Sequence, residues 1–326
     1  MAHPPAGPGP AGPGRWPPSA LQPRFTRSSD GVDVAFYDLG GHGPALLLMH
    51  ATGFCGPALA PMAGELSDRF RSVAVDERAH GRSAPPTDGD FSWSGFALDA
   101  LAVVDELGLE QPVGFGHSCG AAALLLAEQA RPGTFAGLYL FEPVVYPSDV
   151  PLAPSLDGNP LSGGALRRRS EFPDRHGALA NFSSKAPFDV LDPAVLAAYV
   201  DNGFHVGPGG ELALRCRRED EAQVYAHGFS HDAYSHLDRV RCPVTLACGA
   251  DTDAFGPSFL DLFAARLAPV EQVVLPGLGH FGPLEDPSAV ARSVRRSLAA
   301  AAATSAAAEG VSRPGGLDHR RDTPGA

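Results

Sequence analysis

The chain has 326 residues, is 44% hydrophobic and 19% charged, and carries a formal net charge of −12. That length holds one large domain or two ordinary ones, and the hydrophobic share excludes wholesale disorder. An acidic chain has no diffuse basic field to neutralise phosphates, which argues against nucleic acid as a partner. The longest apolar runs, Ala45–Met49 and Ala121–Ala127, fall far short of the roughly 20 residues that span a bilayer, so no membrane segment is expected. Five cysteines, odd in number and without CxxC spacing, support neither a disulfide framework nor a zinc site. With no basic, apolar leader at the N-terminus, a reducing cytoplasm is the expected compartment. Nothing in the pattern specifies an oligomeric state.

Residues 1–23 hold eight prolines among glycines and alanines, and the end from 303 to 326 has similarly low complexity. Both are expected to be disordered tails. Between them, Arg24–Thr26 and Val32–Tyr37 predict two strands around the turn Ser29-Asp30-Gly31, and the apolar run Ala45–Met49 a buried strand. Pro57–Leu66 predicts a helix, Arg71–Val75 a strand and Ser92–Leu107 a long helix stopped by Gly108. Then follow a strand at Val113–Gly116, a helix at Cys119–Ala130 and a strand at Leu138–Phe141. The alternation resumes with Val244–Cys248 (strand), Ser258–Leu267 (helix), Val273–Leu275 (strand) and Pro287–Ala300 (helix). Alternating strands and helices imply an α/β fold with a mostly parallel sheet flanked by helices. Residues 144–236 interrupt it without a convincing β-run. They are expected to form a helical cap inserted before the last two strands, with helical pieces at Ala165–Glu171 and Pro193–Gly203. The core is then residues 24–143 and 237–302.

Gly116-His117-Ser118-Cys119-Gly120 fits G-x-S-x-G and sits between a predicted strand and a predicted helix. That is the setting of a nucleophile elbow, where glycines spare the sharp turn from Cβ clashes. A serine hydroxyl needs a base, and His280, in Gly279-His280-Phe281-Gly282 after the last strand, can swing over the sheet edge towards it. The base needs an acid to hold its tautomer. The loop Gly249-Ala250-Asp251-Thr252-Asp253 offers two, of which Asp253 lies deeper in the loop and is preferred, with Asp251 the alternative. Glu142-Pro143, ending a strand, can face the floor of the site and is read chiefly as a structural hydrogen-bonding residue. His227, His231 and His236 lack the further ligand a zinc site would want. Arg167-Arg168-Arg169 reads as a solvated helix face. Phe141, Tyr146, Phe172, Phe182, Phe188, Tyr199 and Phe204 are candidate walls of an apolar pocket, most of them cap core.

With the order Ser118, acid, His280 and with Asp76-Glu-Arg-Ala-His-Gly-Arg-Ser83, which is similar to a D-x-R-G-H-G-x-S loop but has Ala79 where glycine is usual, the chain from Arg24 to Ala300 resembles the α/β-hydrolase fold superfamily. The resemblance implies an oxyanion hole made by the backbone N–H of Cys119 and one from the loop His50-Ala51-Thr52-Gly53-Phe54, placed at Thr52, with Gly53 or Phe54 as alternatives. His50 is read as a brace for that loop. Serine rather than aspartate at the elbow implies acyl transfer instead of epoxide opening or halide displacement. The expectation is a capped serine hydrolase without metal or cofactor, acting on a small or medium apolar ester, lactone or thioester. A non-turnover receptor of the same fold and a biosynthetic thioesterase or cyclase are the alternatives.

Overall fold

The computed structural model describes residues 21–267 and 269–303. The two expected tails, 1–23 and 303–326, lie outside the described residues apart from 21–23 and 303. The chain opens with strands β1 (Arg24–Arg27), β2 (Asp33–Gly41) and β3 (Ala45–Met49), then a short 3-10 turn running into helix α1 (Ala60–Leu66). Next come β4 (Arg71–Val75), α2 (Trp93–Glu106), β5 (Val113–His117), α3 (Cys119–Ala130) and β6 (Gly137–Phe141). After a long insertion the alternation ends with β10 (Val244–Gly249), α8 (Pro257–Ala264), β11 (Val270–Leu275), α9 (Gly282–Glu285) and α10 (Pro287–Ser297).

Eight strands form one sheet in the order β1-β2-β4-β3-β5-β6-β10-β11, antiparallel at β1, β2 and β4 and parallel beyond. Every residue of β3, β5 and β6 is buried, as strands covered by helices on both faces must be. Each fully buried leucine in them contributes roughly 1.5–3 kcal/mol of hydrophobic stabilisation. The strand order reverses between β3 and β5, so the loops leaving their C-terminal ends diverge and open a crevice there. Ser118 follows β5, and the loop 50–54 follows β3.

The insertion holds α4 (Pro160–Arg167), β7 (Glu171–Phe172), α5 (Arg175–Ser183), α6 (Pro193–Asn202), β8 (Phe204–Val206), β9 (Leu212–Leu214) and α7 (Arg218–Ala226). It lies between β6 and the last two strands of the large sheet, where the sequence places it. Beside the helices of the expected, mostly helical cap it holds a three-stranded antiparallel sheet, β7-β9-β8. These strands are two or three residues long, too short for an alternating pattern to register in the sequence. Trp93 of α2 donates its indole N–H to the Val224 carbonyl of α7 (3.0 Å), tying cap to core. Among the described residues no helix is long and apolar enough to cross a membrane. All five cysteines are buried and unpaired.

The loop after β4 is held by a buried ion pair. The guanidinium of Arg78 donates to Asp99 through Nε (3.1 Å) and Nη2 (2.8 Å), with both side chains at most 2% exposed, and Arg78 Nη1 reaches the part-exposed Asp30 (2.7 Å). Removing one partner strands a buried charge, which costs more than the pair is worth intact. Asp99→Ala is therefore expected to lower unfolding free energy by about 3–5 kcal/mol in urea titration. Asp30→Ala, at the solvent end, should cost about 1 kcal/mol or less. Equal losses in the two variants would contradict this reading of the loop.

Candidate active site

Ser118 has φ 58° and ψ −114°, a strained backbone that points its hydroxyl away from both strand and helix. The strain is held in place by close packing. A Cβ on Gly116 would lie 2.5 Å from Ala121 Cα, and one on Gly120 would lie 2.6 Å from the carbonyl oxygens of Met49 and His50. Ser118 N–H donates to the Phe141 carbonyl of β6 (2.9 Å), and Gly120 N–H to the His50 carbonyl (3.1 Å). The elbow is thus fastened on one side to β6 and on the other to the loop after β3.

The same stepwise register continues outward. Glu142, immediately after β6 and itself at φ 47°, donates its N–H to Ala247 of β10 (2.8 Å). Its carboxylate is fully buried. Oε1 accepts from Gly249 N–H (3.0 Å), and Oε2 accepts from the Thr252 hydroxyl (2.9 Å) and from Nδ1 of His280 (2.6 Å). This corrects the assignment of the acid to Asp253 or Asp251. Both of those residues are exposed, and the loop that bears them brings Thr252 to Glu142 and the ring of Phe255 to 5.9 Å from that of His280. Glu142 wins because the end of β6 lies between the end of β5 and the histidine loop, so a glutamate there needs no excursion to reach Nδ1. A short hydrogen bond from Nδ1–H to a buried carboxylate fixes the tautomer that leaves Nε2 free to accept a proton.

Ser118 and His280 share this edge of the sheet. His117, whose ring centroid lies 5.3 Å from that of His280, donates its Nε2–H to the His280 carbonyl (2.9 Å). Among the described residues no hydrogen bond joins Ser118 Oγ to the His280 ring. Burial holds the His117 imidazole well below the ordinary histidine range, so it stays neutral and serves as a fixed donor.

The loop after β3 is set by two more neutral histidines. His50 donates from Nδ1 to the Ala51 carbonyl (2.8 Å) and accepts Glu77 N–H at Nε2 (3.1 Å). His80 donates from Nδ1 to the Arg78 carbonyl (3.0 Å) and accepts Gly53 N–H at Nε2 (3.0 Å). Burial pushes the His50 ring down to about 3 and lowers that of His80 as well. His50 is a brace, as its sequence setting suggests. Phe54 N–H is also spent, on the Ala51 carbonyl (3.1 Å). Of the amides flanking Ser118, those of Ser118 and Gly120 are used. Among the described residues, neither Cys119 N–H nor Thr52 N–H donates to any protein group. Near them Glu77 is fully buried and accepts the Cys119 thiol at Oε2 (3.1 Å), and burial pushes its carboxyl well above the usual range. Asp76 accepts from Gly56 N–H (2.7 Å), Arg82 N–H (2.8 Å) and the Tyr37 hydroxyl (2.9 Å). Ala79, where glycine was expected, sits at φ 62°, so this turn keeps a left-handed residue despite its Cβ.

A cavity of about 410 Å³ opens between this loop and the cap, lined by Thr52, Gly53, Phe54 and Phe281 on the core side and by residues of α4, α5 and α7 on the other. Of the seven aromatic residues proposed as pocket walls, Phe182 and Phe188 line it. Phe172, Tyr199 and Phe204 pack behind them as cap core. Phe141 is buried in the sheet, and Tyr146 stacks against Phe229. Arg168 is not the solvated residue expected. Its side chain is 12% exposed and pairs with Glu221 (2.7 Å), bonds the Tyr199 hydroxyl and lies over the Phe188 ring at 5.4 Å. Each of His227, His231 and His236 bonds a nearby carbonyl, and among the described residues no cluster of three metal-ligating side chains forms.

Comparison with known proteins bears on the family and the fold. The sequence profile of the alpha/beta hydrolase family matches residues 40–293. A 2-(acetamidomethylene)succinate hydrolase from Mesorhizobium japonicum is 26% identical over 243 residues, 74% of this chain and 83% of that protein. The crystal structure of an E-2-(acetamidomethylene)succinate hydrolase superposes with a TM-score of 0.73 at 20% identity, covering 86% of this chain and 99% of that one. A thioesterase domain from the curacin biosynthetic pathway superposes with a TM-score of 0.66 at 22% identity, covering 85% and 99%.

At Gly120 the packing leaves no room for a side chain. Gly120→Ala should lower stability by about 1–3 kcal/mol in thermal unfolding, because the clashing atoms are backbone that cannot yield without releasing the loop after β3. Gly164→Ala, with nothing within 4 Å of its Cβ, is the control and should not destabilise. A Gly120→Ala protein as stable as the control would show that the loop and the elbow are not locked together.

Proposed function

Because the chain belongs to the alpha/beta hydrolase family, we propose that it is a serine hydrolase that cleaves a small or medium ester-like substrate with an apolar body through an acyl-enzyme on Ser118, without a cofactor. Ser118 Oγ attacks the acyl carbon while His280 Nε2 takes its proton. Glu142 orients the ring through Nδ1 and stabilises the imidazolium, and does not itself take the proton. The developing alkoxide is received by the two unspent amides, Cys119 N–H and Thr52 N–H, each such donor being worth about 3–4 kcal/mol in the transition state. The protonated imidazole then gives its proton to the leaving oxygen or sulfur, the leaving group departs, and water repeats the cycle on the acyl-enzyme. The contact between Ser118 and His280 tightens once substrate occupies the site, as catalytic hydrogen bonds that are long in free enzymes commonly do.

The single observation that carries this reading is the Glu142–His280 hydrogen bond at the strand edge that also bears Ser118. A buried carboxylate behind an imidazole whose outer nitrogen is left free is the arrangement that holds a base for proton transfer. The apolar body is supported by the walls Phe54, Phe182, Phe188 and Phe281.

A fluorophosphonate probe should label the wild-type chain and leave Ser118→Ala unlabelled. Glu142→Gln should lower kcat for a p-nitrophenyl ester by about 10²–10⁴-fold by presenting the wrong tautomer, whereas Asp253→Asn should stay within about twofold of wild type. The reverse ranking would return the acid to the loop after β10.

A further inference from the structure

The cavity beside the oxyanion loop has an electrostatic character that the chain as a whole lacks. In a protein of net charge −12 with a single lysine, that lysine, Lys185, lines the cavity together with Arg167, Arg168 and Arg169. The one acid in the lining is Glu221, which Arg168 already engages. Three positive charges therefore stand on the wall uncompensated. Arg167, Arg169 and Lys185 are exposed, and among the described residues none of them forms an ion pair, although acids outnumber bases along the chain. Instead Lys185 Nζ donates to the neutral amide of Asn181 (2.8 Å), and Arg169 donates Nε to the Glu171 carbonyl (2.8 Å) while lying over the Phe172 ring at 4.7 Å. The fourth, Arg168, has an Nε that is buried without a hydrogen-bond partner. Guanidinium groups held by aromatic faces keep N–H edges available for a planar anion. Like charges gathered on one concave wall repel one another and focus a positive potential into it.

We propose that the substrate bears a carboxylate, remote from the bond cleaved, which this cation cluster receives. The claim rests on the hydrolase reading above and adds the substrate class to it: a half-ester or related acyl derivative of a dicarboxylic acid, its apolar chain against Phe54, Phe182 and Phe188 and its free acid at the arginines. Carboxylate is favoured over a phosphate-bearing carrier because a space of about 410 Å³ suits a compact acid rather than a nucleotide.

The test compares monophenyl adipate with phenyl hexanoate, in which a methyl group replaces the free carboxylate, on the full chain at low and high salt. Wild type should show kcat/KM at least about tenfold higher for the half-ester, a preference that shrinks as salt screens the cluster. Combining Arg167→Gln, Arg169→Gln and Lys185→Gln, all at exposed positions, should cut the ratio of the two kcat/KM values about tenfold. Equal or better turnover of the neutral ester, or a ratio the triple variant leaves untouched, overturns the proposal. A preference for butyryl-CoA over both esters that the triple variant abolishes transfers the site to phosphate and overturns the carboxylate assignment. Failure of the hydrolase reading looks different: neither ester is turned over and the fluorophosphonate does not label. The cluster is then read by calorimetric titration of Ser118→Ala with monophenyl adipate. Salt-dependent binding that the three substitutions remove sustains the proposal, and no binding ends it.

Discussion

The approach of two backbones without an intervening side chain is the constraint on which the rest of this site depends. Gly120 lets the first turn of α3 rest on the end of β3, and the Gly120–His50 hydrogen bond forms only at that separation. The contact falls where the strand order reverses, so the loop after β3 and the elbow after β5 would otherwise splay apart. Held together, they keep the loop that bears Thr52 against the turn that bears Cys119. Other donors of these two loops are spent, Gly53 on His80, Phe54 on Ala51 and Ser118 on Phe141, while the Thr52 and Cys119 amides are not, and buried amides are rarely left so without a use.

Four histidines crowd this edge, and burial sorts them into two kinds. His50, His80 and His117 are fully buried, their rings lie below the ordinary histidine range, and every hydrogen bond their rings make is to a backbone group. A neutral ring that is deeply desolvated makes a rigid bracket, because gaining a proton there would cost the burial energy of a charge. His280 differs on both counts. It is partly open to the crevice, and its inner nitrogen faces a carboxylate in place of a carbonyl. Of the four rings, that one alone has a carboxylate against it, which is why the proposed mechanism gives the proton transfer to it.

How much of this was legible in the sequence follows from the range of each signal. Strands β3 and β4 and helix α3 agree with the sequence reading residue for residue, since apolar runs and an elbow motif are local. The turns that bear Ser118 and His280 were legible because glycines announce them. The partner of His280 Nδ1 was not. Two aspartates in a glycine-bearing loop resemble a catalytic loop, whereas Glu142 shows only a single carboxylate before a proline. Which of them meets Nδ1 is decided by the spacing of neighbouring strand ends, a property of β5-β6-β10 adjacency that no local pattern encodes. Strand order, had it been applied to Glu142, was the available signal. The cap's small sheet and the burial of Arg168 were hidden for a related reason: two- and three-residue strands have no period, and a run of three arginines looks solvated until Glu221, 53 residues away, is brought against the middle one.

That ion pair also explains a glycine. Gly53 sits at φ 83°, and a Cβ on it would come 2.6 Å from Glu221 Oε1 and 3.3 Å from Arg168 Nη1. The Arg168–Glu221 pair of the cap therefore rests directly on the residue that follows Thr52, in a loop whose own amides are already committed to His80 and Ala51. A lid that merely covered the crevice would need no such contact. Here the cap packs directly on the backbone next to Thr52, so the walls of the cavity and the loop after β3 are parts of one packed unit. Any change in the cap that moves Arg168 moves Glu221, and with it the ceiling under which Gly53 and Thr52 are held.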